Sequence, residues 1–161
     1  PEQLDLILEY SGKLLSILPL LLILVQFTVV MMVYIFKVGS IQLQESLQYI
    51  NAIMFLGGAG YTALKDEHVR VDLFYSKFTK RKKALINFYG TLFLLLPFLI
   101  LFAQSSFPYM ADSWRIMETS IESSGLPFIY ILKTTLILFP LTLSLNVVAS
   151  LMRNFKVMRA Q

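Results

Sequence analysis

Long runs of apolar residues dominate the sequence, and short polar links separate them. The runs cover residues 14–36, 47–64, 84–104 and 128–152. Each is close to the length of about 20 residues that a helix needs to cross a hydrocarbon core about 30 Å thick. The pattern therefore predicts an all-α membrane protein with four transmembrane helices, forming a single membrane domain over residues 1–161.

Composition also favours a membrane protein. The chain is 57% hydrophobic and 15% charged, and its mean hydropathy is +0.68. So much apolar surface exceeds what one small soluble core can bury. The net charge of +4 does not indicate nucleic-acid binding, because the cations lie between the apolar runs, where they set membrane topology.

The distribution of cations predicts the orientation of the chain. The link 65–83 carries seven Lys and Arg residues, whereas the links 37–46 and 105–127 carry one each. Because short cytoplasmic links are enriched in Lys and Arg, the first of these links is expected in the cytoplasm. Further cations after residue 152 place the C-terminus there, and four crossings return the N-terminus to the same side.

Two links have the periodicity of helices that lie on a membrane surface. In residues 71–82 and residues 107–122, apolar side chains recur at helical spacing with charged residues off the stripe. Both segments are therefore predicted to be short amphipathic interfacial helices. The cations Lys80–Lys83 either anchor to phospholipid headgroups or contact a protein, and the sequence leaves both possibilities open.

The second apolar run is the least lipid-like of the four. Gln48, Asn51 and Gly58 fall on one helical face, and the run also carries a cluster of small residues that includes Gly57 and Gly60. In membranes, small residues let helices approach closely, and side-chain amides hydrogen-bond between helices. The stripe is expected either to hold the chain's own helices together or to contact a partner subunit.

The chain has little chemistry of its own. It contains no cysteine, which excludes disulfides and thiolate metal sites, and its single histidine, His68, cannot supply the paired ligands of a membrane haem bundle. Lys133 is the one charged residue within the four runs. Its amine either reaches the nearby interface or pairs with a partner helix. We expect no catalytic residue, metal site or cofactor.

The segment from Gly57 to Tyr75, GGAGYTALKDEHVRVDLFY, resembles the signature of the small membrane subunit of TRAP (tripartite ATP-independent periplasmic) transporters, the DctQ type. A helix end rich in small residues runs into Lys65 and then into the motif from His68 to Asp72. The stretch from Ser113 to Lys133 also resembles this family. With Glu45 ahead of the second run, the resemblance covers nearly the whole chain.

The resemblance implies a sodium-driven symport system of the bacterial inner membrane. A periplasmic substrate-binding protein captures a small organic solute, a carboxylate or other organic anion, and a large membrane subunit carries it inward. The small subunit is implied to be a non-catalytic scaffold that contacts the large subunit, the periplasmic protein and membrane phospholipids. Two other functions stay open: a four-helix anchor or accessory subunit of an unrelated membrane complex, and a self-sufficient channel or carrier in which Lys133 lines a pore.

The polar stripe and the resemblance together define two hypothetical surfaces. One is an interface with a partner or with lipid, and the other is a periplasmic docking face. The interface comprises Gln48, Asn51, Gly57, Gly58, Gly60, His68, Arg70, Asp72 and Lys133, and the docking face comprises Trp114, Glu118 and Glu122.

Overall fold

A computed structural model describes residues 2–65 and 77–159, and these residues form helices and no strand. The all-α prediction is therefore confirmed. A π-helical segment, Thr91–Leu95, precedes α5, and a 3-10 turn, Thr135–Ile137, precedes α7. The α-helices are α1 (Glu2–Leu15), α2 (Leu18–Tyr34), α3 (Ile41–Leu64), α4 (Lys80–Gly90), α5 (Leu96–Arg115), α6 (Ile129–Thr134) and α7 (Leu138–Arg159).

Within the described part of the chain, three helical stretches are long and apolar enough to cross a membrane. They are Glu2–Tyr34 with 33 residues, Lys80–Arg115 with 36 and Ile129–Arg159 with 31. The apolar runs predict four. The 24-residue α3 does not qualify, because amides in its first half and glycines in its second lower its mean hydropathy. Length and composition therefore support three of the four predicted spans.

The first stretch is two helices joined almost end to end. Ser16 and Ile17 interrupt the α-helical run between α1 and α2, just ahead of Pro19 in the first turn of α2. A proline has no N–H to bond the carbonyl four residues earlier, here that of Leu15, and its fixed φ suits a helix start. The proline thus explains why the helix restarts at this position.

The separate interfacial helix predicted at 107–122 does not form. Residues 107–115 continue α5, and the helix ends at Arg115. The helix continues past the end of the apolar run although Pro108 lies inside it and has no N–H to bond the carbonyl of Gln104. The helix closes in a Schellman-type turn: Met117 has φ 48°, and the N–H of Glu118 bonds the carbonyl of Ser113 at 3.0 Å.

The interfacial helix predicted at 71–82 also differs from the structure where it is described. Residues 71–76 lie outside the described residues. From Lys80 onward the chain already belongs to α4, which begins the second long stretch. Thr79 caps this helix, since its Oγ1 accepts a hydrogen bond from the N–H of Lys82 at 3.5 Å. The cations Lys80–Lys83 thus form the first turn of a long helix.

Close packing holds α3 between α1 and α7. A Cβ atom on Gly60 would lie 2.5 Å from the backbone oxygen of Thr142, and one on Gly12 would overlap the ring of Tyr61. Gly60 therefore permits α3 and α7 to touch backbone to backbone. Buried apolar side chains continue this contact, with a core of Ala59, Leu99, Leu143 and Val147.

The helices have two ends that differ in charge. At one end, called the loop end, Glu45 of α3 contacts the loop 116–128. At the other, called the basic end, Arg153 of α7 contacts Asp5 of α1. The helix α4 starts at the basic end, because its Phe88 lies 6.4 Å from Phe155, ring centre to ring centre.

Candidate functional site

The carboxylate of Glu45 holds the loop 116–128 against α3. Glu45, in the first turns of α3, accepts hydrogen bonds from the hydroxyl of Ser120 and, at 2.6 Å, from the backbone N–H of Leu126. The space around this carboxylate is so small that a side chain at Gly125 would collide with Glu45 and Ser120. The residues that Glu45 bonds lie 75 and 81 positions further along the chain.

A second cluster ties the same loop to α5 and α6. The amine of Lys133 lies 2.5 Å from Oε2 of Glu118, and the buried Ser113 donates to the same oxygen at 2.7 Å. These two donors, with Lys133 first, hold the pKa of Glu118 below its ordinary value, so its carboxylate stays ionised at neutral pH. Lys133 also lies 4.0 Å from the centre of the Tyr109 ring.

Trp114 adds a third tie between α5 and α6. Its indole N–H donates to Oγ1 of Thr134 at 2.7 Å, and its ring meets that of Tyr130 edge to face, with centres 4.7 Å apart. The predicted docking residues Trp114 and Glu118 are thus bonded within the chain. The third, Glu122, lies exposed on the loop.

The loop carries large apolar side chains on its outer surface. Ile116, Met117 and Ile121 are 71%, 57% and 103% exposed. They follow the end of α5, in the segment that is bonded to α3 through Glu45 and to α5 and α6 through Glu118. The loop end is therefore a surface with an exposed apolar tip, held by bonds to α3, α5 and α6.

The basic end is joined by ion pairs between helices that are distant in sequence. Arg153 lies 2.6 Å from Asp5, and Glu9 lies 3.6 Å from Lys65 at the end of α3. These pairs are partly exposed, so each contributes only about 0.2–1 kcal/mol. The pairs say more about the fold than about its stability, because they bring the beginning of α1 and the last turns of α7 to one end of the structure.

The interface residues predicted on α3 divide into inner and outer residues. Gly57 faces Leu15, and Gly60 faces Thr142, so both pack within the chain. A Cβ atom on Gly58 would meet no heavy atom within 4 Å, and Gln48 and Asn51 are exposed. The structure thus places the amides and Gly58 on an uncovered face. The interface residues His68, Arg70 and Asp72 lie outside the described residues.

Comparison with protein families supplies the identity that the geometry does not. The family model described as "Tripartite ATP-independent periplasmic transporters, DctQ component" matches residues 22–157. The chain belongs to the DctQ family. It is therefore a non-catalytic small membrane subunit of a TRAP transporter, and the resemblance noted from its motifs is confirmed. No curated protein and no solved structure gives a match.

Family membership and fold both fit a membrane protein for this DctQ subunit. Its described helices include three that are apolar enough for a membrane, which fits a multi-pass membrane protein that associates with other transporter components. Among residues 2–65 and 77–159, no group of three or more His, Cys, Asp or Glu side chains could hold a metal ion.

Glu45 and Asp5 bond distant parts of this DctQ subunit to each other, but neither has a role assigned from the sequence. The sequence marks Glu45 only through the family resemblance, and it does not single out Asp5. An acidic residue close to the start of an apolar helix is a signal that points to Glu45, since a carboxylate there needs a donor. No comparable local signal marks Asp5, whose partner Arg153 is 148 residues away.

Proposed function

We propose that this DctQ subunit is the immobile scaffold of a sodium-driven TRAP transporter in a bacterial inner membrane. In this proposal the large subunit carries the solute, a small organic anion such as a carboxylate. The loop end of the small subunit helps to dock the periplasmic substrate-binding protein. The observation that carries the proposal is the loop end, where the bonds of Glu45 and Glu118 hold a segment with an exposed apolar tip.

Charge placement supports a scaffold more than a carrier. Lys133 is the one charged residue within the four apolar runs, and it is already paired with Glu118. A carrier normally keeps ionisable groups inside the membrane to bind its ion or solute. Here the membrane chemistry of transport is left to the large subunit, and the exposed apolar tip offers contact area to a soluble protein.

The scaffold role can be tested by finding which subunits solute uptake requires. Co-expression with the large subunit is expected to give a stable one-to-one complex. In proteoliposomes, uptake driven by a sodium gradient should need both membrane subunits and the periplasmic protein. Uptake by this chain alone, or full uptake without it, would contradict the scaffold role.

The proposal includes four crossings, with both ends of the chain in the cytoplasm. The pair between Asp5 and Arg153 supports this part of the proposal, because it joins α1 to the end of α7, and an even number of crossings brings both to the same side. The helix α3 runs antiparallel to α1 and α2, and Glu45 and Lys65 are about 30 Å apart along it. Protein contacts on α1, α2 and α7 compensate for its lower hydropathy. The cations at the basic end fit the cytoplasmic side.

Cysteine labelling tests this topology without background, because the chain has no cysteine of its own. Single cysteines in place of Glu2, Glu122 and Arg159 are treated with a membrane-impermeant maleimide on intact spheroplasts. Only the cysteine at position 122 should react before the membrane is permeabilised. If those at positions 2 and 159 react from opposite sides, the number of crossings is odd and the proposal fails.

A further inference from the structure

Three side-chain amides meet in a groove between α2 and α3, which we call the amide groove. Gln26 comes from α2, and Gln48 and Asn51 come from α3. With Leu22 and Leu47 they line a volume of about 280 Å³, and all three amides are exposed. Gln26 lies near the middle of the apolar run 14–36. Polar groups from two helices thus open onto one face of the protein.

The amide groove lies well inside the apolar part of the protein. Asn51 is about 15 Å along α3 from its first residue, Ile41. Gln26 is the one amide side chain in an apolar run that otherwise carries only hydroxyls as polar side-chain groups. At this depth water is scarce, and a carboxamide without a hydrogen bond costs several kcal/mol by the usual transfer scales, about 2–7.

The three amides have no hydrogen-bond partner within the described chain. Two exposed hydroxyls at similar positions do not share this property. The hydroxyl of Thr28 bonds the carbonyl of Leu24 at 2.8 Å, and that of Ser144 bonds the carbonyl of Leu141 at 2.8 Å. These hydroxyls are satisfied by their own helices, whereas the amides need a partner from outside the chain.

The face around the groove is shaped for another helix. Phe55 continues the face from Asn51 and is 66% exposed, and Gly58 follows with open space beside it. The ring of Phe55 offers a neighbouring helix an apolar contact. Gly58, which has no side chain, lets that helix approach closely. The residues that line the groove include none that ionises, so a charged partner would gain no counter-charge there.

We propose that the amide groove is the surface on which a transmembrane helix of the large subunit packs, through uncharged side chains or carbonyls that bond Gln26, Gln48 and Asn51. This inference rests on the proposed scaffold function and adds a location and a chemistry to it. Acyl chains can fill such a groove but cannot hydrogen-bond, which leaves the amides unsatisfied. A protein helix satisfies them.

The test replaces the amides by side chains of similar size that cannot hydrogen-bond. The variants are Gln26→Met, Gln48→Met, Asn51→Leu and the triple combination, with Thr28→Val and Ser144→Ala as controls. Affinity for the large subunit is measured in nanodiscs by energy transfer between labelled subunits. Each single variant should weaken binding about threefold or more, and the triple variant by more than about tenfold. The controls should bind like the unmodified subunit.

The outcomes separate this inference from the proposed function. If the unmodified subunit binds but the triple variant binds equally well, the amide groove is not the contact surface, and the scaffold role stands. If the unmodified subunit does not bind the large subunit, the scaffold role itself fails. If the substitutions abolish self-association of this chain and leave binding to the large subunit intact, the groove joins two copies and the inference is overturned. Equal melting temperatures of the isolated variants show that folding is retained.

Discussion

Alanine at Gly60 is expected to destabilise the isolated subunit by about 1–3 kcal/mol, the usual cost of overpacking a tight contact. A methyl group there would lie 2.5 Å from the backbone oxygen of Thr142 and 2.7 Å from its carbonyl carbon. Backbone atoms cannot rotate away as a flexible side chain can. The helices α3 and α7 must therefore move apart, and the core between them loosens.

Gly58 provides a matched control for this prediction. It lies two residues away on the same helix, and a methyl group there meets nothing within 4 Å. Because alanine favours a helix more than glycine does, Gly58→Ala should leave the melting temperature in detergent unchanged or slightly raised. Equal losses for both variants would mean that helix propensity, and not the contact with Thr142, decides the result.

Replacing Glu45 by leucine is expected to release the loop 116–128. The change removes the acceptor for the hydroxyl of Ser120 and for the N–H of Leu126. Hydrogen bonds to a charged group contribute about 1.5–3 kcal/mol each, so the loop should open far more often. Hydrogen exchange at the Leu126 amide should accelerate strongly, and proteases should cut between residues 116 and 128.

The control for this prediction is Glu122→Gln. Glu122 lies on the same loop, but its carboxylate accepts none of the bonds that hold the loop to α3. Exchange at Leu126 should therefore stay slow in this variant. Glu45→Gln should give an intermediate result, because its amide oxygen can accept one of the two bonds. Slow exchange in the Glu45→Leu variant would show that Lys133 and Trp114 alone fix the loop.

The helices are predictable from the sequence because apolar runs of membrane length leave few alternatives. The end of α5 is not predictable in this way. The apolar run stops near Gln104, but the backbone continues as a helix to Arg115 even though Pro108 lies inside it. Hydropathy reports which residues favour lipid, and a helix can continue beyond them.

The candidate site is predictable only in part, for a similar reason. Residues such as Trp114 and Glu118 can be selected from the sequence, but their contacts with Thr134 and Lys133 depend on how α5 and α6 meet. Gln26 is hidden in an otherwise apolar run, and its position beside Gln48 follows from the antiparallel packing of α2 on α3. Pairing between distant residues is a property of the fold.

The helix from Lys80 to Arg115 is 36 residues long, which corresponds to about 54 Å. A hydrocarbon core is about 30 Å thick, and even a helix tilted by about 40° would still project about 41 Å along the membrane normal. In the proposed scaffold, the surplus length holds the loop beyond the acyl chains. The length of this helix would then set the distance from the membrane at which the proposed soluble partner meets Ile121. Shortening the helix by one turn would reduce that distance by up to about 5.4 Å.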